Sequence, residues 1–88
     1  MANKTFIITG ATDGIGLEAA IKIAALGNQV GLVGRNPQKG AKAIERIRSV
    51  TGNDKLDFFQ ADLSIVSDIN QLSRDIKNKY SELNVLLN

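Results

Sequence analysis

Gly10, Gly14 and Gly16 stand in the run Thr9-Gly10-Ala11-Thr12-Asp13-Gly14-Ile15-Gly16, and their spacing suits a site for an anion. The run follows the apolar stretch Thr5-Phe6-Ile7-Ile8 and opens into an amphipathic segment from Ile15 to Leu26. A strand, a glycine-rich turn and a helix in that order bring the first backbone N–H groups of the helix, which have no intrahelical partner, to the end of the turn. The helix dipole adds about half a positive charge there, so a pyrophosphate can sit on that end if no side chain blocks it. Glycine also marks turns and helix starts for structural reasons alone. The spacing by itself therefore leaves a nucleotide site and a plain turn both open.

A second group of residues bears on which anion would be read. Sites that take NAD usually place a carboxylate after the second strand, where it accepts from the ribose hydroxyls. Here the corresponding stretch is Val33-Gly34-Arg35-Asn36, with no Asp or Glu before Glu45. The Arg35 guanidinium favours a 2′-phosphate, to which it can make paired, charge-assisted hydrogen bonds. Gly34 leaves room, and Asn36 and Thr12 can add neutral hydrogen bonds. These residues favour NADP over NAD; the structural alternative is that Arg35 is a solvated loop residue. Asp13 is a counter-signal, because an acid in the phosphate turn repels anions unless it points outward.

The elements that must position these residues alternate. Strands are expected at about Lys4 to Thr9, Gln29 to Val33, Leu56 to Ala61 and Leu83 to Leu87. Helices are expected from Ile15 to Leu26, from Pro37 to about Thr51, and from Ser64, which is placed to cap it, past Ile65, Ile69, Leu72 and Ile76. Gly27 and Gly52 read as helix stops, and Asn36-Pro37 as a cap followed by proline at the first helical position. Ala43, Ile44, Ile47 and Val50 share one helical face. Asp57 and Gln60 make the third strand more polar than the others, as suits an edge. The pattern βαβαβαβ implies parallel pairing in a Rossmann-type doubly wound sheet of order 3-2-1-4, with the glycine turn beside the point where strand order reverses.

The longer string Thr9-Gly10-x-x-x-Gly14-Ile15-Gly16 resembles the cofactor fingerprint of the short-chain dehydrogenases/reductases, in the single-domain branch with this glycine spacing. Gly34-Arg35-Asn36 lies where that family selects its cofactor, and Asp62-Leu63 where an acid–aliphatic pair follows the third strand. Leu83-Asn84-Val85-Leu86-Leu87-Asn88 is similar to the strand that leads into the family's Asn-Asn-Ala-Gly motif. The resemblance implies a sharp strand exit at Gly10, backbone access to the phosphates at Gly14, close helix–sheet packing at Gly16 and a backbone N–H from Ile15. It implies that the Asp62 carboxylate meets the adenine amino group and that Leu63 offers a backbone N–H. A plain cap or turn at Asp62 is compatible with that role. The epimerase/dehydratase branch expects its second glycine where Asp13 stands, which argues against it. The tract Gly34 to Gly40 hints at retinol-dehydrogenase-like members.

The family's hydride transfer uses a Tyr-x-x-x-Lys pair with a Ser. Tyr80, the single tyrosine, is followed four positions later by Asn84. It reads as a helix-end packing residue, so no catalytic residue is assigned. The 88 residues are accordingly expected to be an NAD(P)-binding half-domain truncated after the fourth strand, inactive in hydride transfer by itself, with an exposed apolar edge and marginal stability. The function implied is an NADP-dependent oxidoreductase acting on a carbonyl or alcohol. The alternative is a non-catalytic nucleotide-binding or interaction module, and the two part on whether the reading frame continues into the catalytic motifs. The substrate, and the oligomer interface common in the family, would belong to a longer parent.

Composition narrows the classes further. The chain is 43% hydrophobic and 23% charged, as in a globular protein. Its net charge of +2, with eleven Lys and Arg spread along the sequence, gives no nucleic-acid footprint. It has no cysteine and no histidine, which removes disulfides and the usual transition-metal ligands. No apolar run reaches the roughly 18–20 residues of a membrane span. The start Met1-Ala2-Asn3-Lys4 does not read as a secretory signal, so the cytoplasm is the default expectation.

Overall fold

The computed structural model describes residues 4–80 and 85–87. Its elements are β1 (Thr5–Thr9), α1 (Gly14–Ala25), β2 (Gln29–Gly34), α2 (Pro37–Thr51), β3 (Leu56–Gln60), α3 (Val66–Lys79) and β4 (Val85–Leu87). The strands form one parallel sheet in the order β3-β2-β1-β4, with Thr5 to Thr9 registered on Gln29 to Val33 and Val30 to Gly34 on Leu56 to Gln60. Of the strand expected from Leu83 to Leu87, Val85–Leu87 pairs with β1, whereas Leu83 and Asn84 lie outside the described residues.

Successive side chains of a strand face opposite sides of a sheet, and both sides are covered here. Phe6, Ile8, Val30 and Leu32 pack with Ala20 and Ala24 of α1 and with Ala43 and Ile47 of α2. Ile7 and Val33 face the other way, with Ala61 and Tyr80, and Phe59, Leu72 and Ile76 close that side. A near-continuous apolar run in β1 is thus explained by burial on two faces. Of the face shared by Ala43, Ile44, Ile47 and Val50, the last does not follow the others toward the core. It is 59% exposed, in the last turn of α2 where the helix is ending. The α3 face is thinly covered: no residue of that helix is fully buried, and Val66 is 72% exposed.

Local chemistry sets the ends of the elements. The Asn36 side chain accepts from the backbone N–H of Gln38 at 2.9 Å and of Lys39 at 3.2 Å, with Pro37 opening α2. Gly27 and Gly52 stop α1 and α2 in the left-handed region, at φ 86° and 72°. Helix α1 begins at Gly14, one residue before Ile15. Ser64 does not cap α3. That helix starts at Val66 with Ile65 at its N-cap, so Ser64 stands one position too early, and its hydroxyl donates to the Asp62 carboxylate at 2.7 Å.

Two polar clusters hold the elements together at long range. At the amino ends of the strands, Asn28 Oδ1 accepts from Lys4 N at 3.1 Å, and Asn53 Nδ2 donates to the carbonyls of Ala24 at 3.0 Å and Asn28 at 2.7 Å. The Asn53 amide thus ties the carboxyl end of α1, where Ala24 O also accepts from Gly27 N at 3.0 Å, to the start of β2. On the α3 side, the Tyr80 hydroxyl donates to Asp57 Oδ2 at 2.5 Å, and Lys79 Nζ lies 3.2 Å from Asp57 Oδ1. Burial, together with the hydrogen bond to Asp57 and its negative charge, holds the Tyr80 phenol protonated well above its ordinary range.

Candidate functional site

The carboxyl ends of β1, β2 and β3 converge on one cleft, and backbone bonds fix their spacing. Gly10 N donates to Val33 O at 3.1 Å, and Ala61 N donates to Gly34 O at 2.9 Å. Gly10 turns out of β1 at φ 66°, a conformation that costs an L side chain about 1–2 kcal/mol. Gly14 opens α1 at φ 60°, and a Cβ at either glycine would meet nothing within 4 Å. The turn is therefore an open, left-handed backbone cradle. Gly16 is constrained differently. A Cβ there would lie 2.5 Å from Gly10 O and 3.0 Å from Ala11 Cα, so its bare backbone seats α1 against the turn itself, where close packing on the sheet was expected.

The first turn of α1 faces outward. The Ile15 side chain is 89% exposed, and the first intrahelical bond runs from Leu17 N to Asp13 O at 3.3 Å. The N–H groups of Gly14, Ile15 and Gly16 precede that bond and have no carbonyl four residues back within the helix. The Asp13 side chain makes no capping bond to them.

The cleft encloses about 420 Å³ and brings together Gly10, Thr12, Arg35, Asp62 and Leu63 from the sequence reading. Gly14, Ile15, Gly16 and Asn36 do not line it: the first three form the adjoining helix start, and the Asn36 side-chain oxygen is committed to capping α2. The space expected beside Gly34 is also partly filled. A Cβ there would meet the Thr12 methyl at 3.2 Å and the Phe58 ring at 3.4 Å, so Gly34 makes room for Thr12. Lys39 lines the cleft as well and was missed. Its signal was available, since it lies four positions after Arg35 with proline at the first helical position between them.

Asp62 Oδ1 accepts from Ser64 N at 3.0 Å and from Ser64 Oγ at 2.7 Å, while Asp62 N donates to Asp68 Oδ2 at 2.8 Å. The bonds from Ser64, helped by the charge of Arg35, hold this carboxyl below its ordinary 3.8. It is a charged acceptor at neutral pH, and one of its oxygens already serves the turn. Among the described residues no group of acids could hold a metal ion, and no helix is long and apolar enough to cross a membrane.

The same fold recurs in solved structures. Residues 4–88 match the family described as short chain dehydrogenase. The chain is 37% identical to human polyprenol dehydrogenase over 98% of its own length and 26% of that protein's. It is 34% identical to mouse retinol dehydrogenase 11 over 100% of its length and 28% of that protein's. A short chain dehydrogenase from Shigella flexneri, solved in complex with NADP, superposes with a TM-score of 0.87 at 35% identity, covering 100% of this chain and 38% of that one. The chain thus spans about a quarter to a third of the length of the curated relatives it matches. With the family matched across both the glycine turn and the third strand, the chain belongs to the short chain dehydrogenases.

Proposed function

We propose that these residues bind NADP for an oxidoreductase that interconverts a carbonyl and an alcohol. The observation that carries this reading is Arg35, which lines the cleft beside the glycine turn with no carboxylate at the end of β2, while Lys39 there stands 4.0 Å from Asp13. The cradle fits a dinucleotide on its own terms. Gly10 and Gly14 leave open space where a Cβ would stand, and the start of α1 offers N–H groups and the positive end of a dipole to a pyrophosphate. Arg35 supplies the planar donor set suited to a 2′-phosphate. Asp62 and Leu63 also line the cleft and would meet the adenine. When bound, the nicotinamide gives or accepts the hydride.

Tyr80 takes no part in the proton transfer that accompanies it. Its hydroxyl is committed to Asp57, and burial against Ile7 and Phe59 keeps it protonated. The NADP complex of the Shigella relative supports the cofactor, and the dehydrogenases of polyprenol and retinol support an alcohol or carbonyl substrate.

The discriminating experiment replaces Arg35 by alanine and titrates both dinucleotides calorimetrically. Hydrogen bonds to charged groups contribute about 1.5–3 kcal/mol, so NADP should weaken roughly ten- to a hundredfold while NAD barely moves. Equal weakening of both would show that Arg35 holds the loop together and does not read the phosphate.

A further inference from the structure

Asp13 occupies the N-cap of α1, where an aspartate ordinarily turns back to accept from the N–H of the second or third helical residue. It makes no such bond. Its Oδ2 lies instead 4.0 Å from Nζ of Lys39, across the cleft in the first turn of α2. A lysine at the positive end of a helix dipole gains nothing from its own helix, and the Asp13 carboxylate is the anion beside it. The side chains of Lys39 and Asp13 are 62% and 78% exposed, so the pair is weak and easily exchanged for another.

With Oδ2 turned to Lys39, neither oxygen of the Asp13 carboxylate bonds the first turn of α1. On Lys39, it leaves the N–H groups of Ile15 and Gly16 open. On those N–H groups, it sets a negative charge where an incoming pyrophosphate would need donors.

We propose that Lys39 is a positioning residue for the phosphate cradle, holding the Asp13 carboxylate off the first turn of α1 so that the Ile15 and Gly16 N–H groups stay available to a dinucleotide. The functional consequence rests on the NADP reading given above; the side-chain exchange does not. NAD is the telling probe because it lacks the 2′-phosphate, so a direct bond from Lys39 to that phosphate cannot affect it.

Lys39→Gln should weaken NAD about fivefold, the size of a typical aspartate cap set against binding. In an Asp13→Ala background the same substitution should leave NAD unchanged. Without cofactor, Lys39→Gln should move the Ile15 and Gly16 amide proton resonances downfield as the carboxylate returns to them, and Asp13→Ala should abolish that movement. Unchanged amides, unchanged NAD affinity, or an equal NAD loss in both backgrounds would overturn the proposal. Amides that move in a protein that binds neither NAD nor NADP would overturn the cofactor reading and leave the exchange standing.

Discussion

Replacing Gly16 by alanine sets a methyl group against backbone that has little freedom to yield. The new Cβ would stand 2.5 Å from Gly10 O, 3.0 Å from Ala11 Cα and 3.1 Å from Gly10 C. Gly10 is itself tied to β2 through its N–H to Val33 O at 3.1 Å, so the turn cannot simply retreat. Reaching an ordinary contact distance requires α1 to withdraw by about 1 Å. Overpacking of this kind costs about 1–3 kcal/mol, offset by at most about 1 kcal/mol from the better helix propensity of alanine. A larger loss is expected in binding, because the withdrawal carries the N–H groups of Gly14 and Ile15 away from the cradle. Losing one hydrogen bond to a phosphate at about 1.5–3 kcal/mol corresponds to at least a tenfold weakening of NADP. Urea unfolding measures the first effect and calorimetric titration the second. A Gly16→Ala protein as stable as its parent, with NADP affinity within a factor of about two, would refute the seating of α1 against the turn.

Gly14→Ala should behave differently, costing about 1–2 kcal/mol in stability from its φ of 60° while α1 stays in place, since nothing lies within 4 Å of the added Cβ; urea unfolding of the two alanine variants side by side would show the contrast. Tyr80→Phe should destabilise by roughly 1.5–3 kcal/mol, the loss of a hydrogen bond to a charged acceptor, and a melt unchanged by the substitution would count against the clamp on Asp57. The Tyr80 phenol titrates above its ordinary 10.0 in the folded chain, so its contribution is complete below that pH and is lost as pH rises beyond it; the phenylalanine variant should lack this alkaline decline. Asp62 runs the other way. Its carboxyl is held below 3.8, so its contribution is present above that pH and lost as pH falls through the lowered value, and Ser64→Ala should return the carboxyl toward 3.8 in a carbon-13 titration.

The signals that sequence carried well were local ones. Asn36-Pro37, Gly27 and Gly52 act within a turn of their own position, and each does in the structure what its type and place imply. Ser64 failed as a cap because α3 begins one residue later than its place implies, with Ile65 at the N-cap, and its hydroxyl turns to Asp62 two residues earlier. Gly16 was legible as a tight position, but its partner was not. The atoms it must clear belong to the turn at Gly10 and Ala11, a contact that depends on how α1 is angled. Asp57 appeared as a polar residue on an edge strand, and what gives it meaning is Tyr80, 23 residues away. Asn53 reaches across a similar separation to Ala24 and Asn28. Pairings of this kind follow from the sheet order and not from any local pattern. Of the site itself, the glycine turn, Arg35 and the Asp62-Leu63 corner were readable, whereas Lys39 needed the geometry of α2 to bring it to the cleft.

The central claim is that a dinucleotide binds at the carboxyl ends of the strands, across the glycine turn. A second concavity of about 350 Å³, lined by Ala24, Gly27, Gly52 and Asn53 among others, lies where α1 and α2 end and provides an internal comparison. The most direct measurement is a map of backbone amide shifts in the isotope-labelled protein as NADP is added. The account predicts saturable shifts at Gly10, Gly14, Ile15, Gly16, Arg35, Lys39, Asp62 and Leu63, with Gly27, Gly52 and Asn53 unmoved. Shifts centred on Gly27, Gly52 and Asn53, or no saturable shift at the glycine turn, would contradict it.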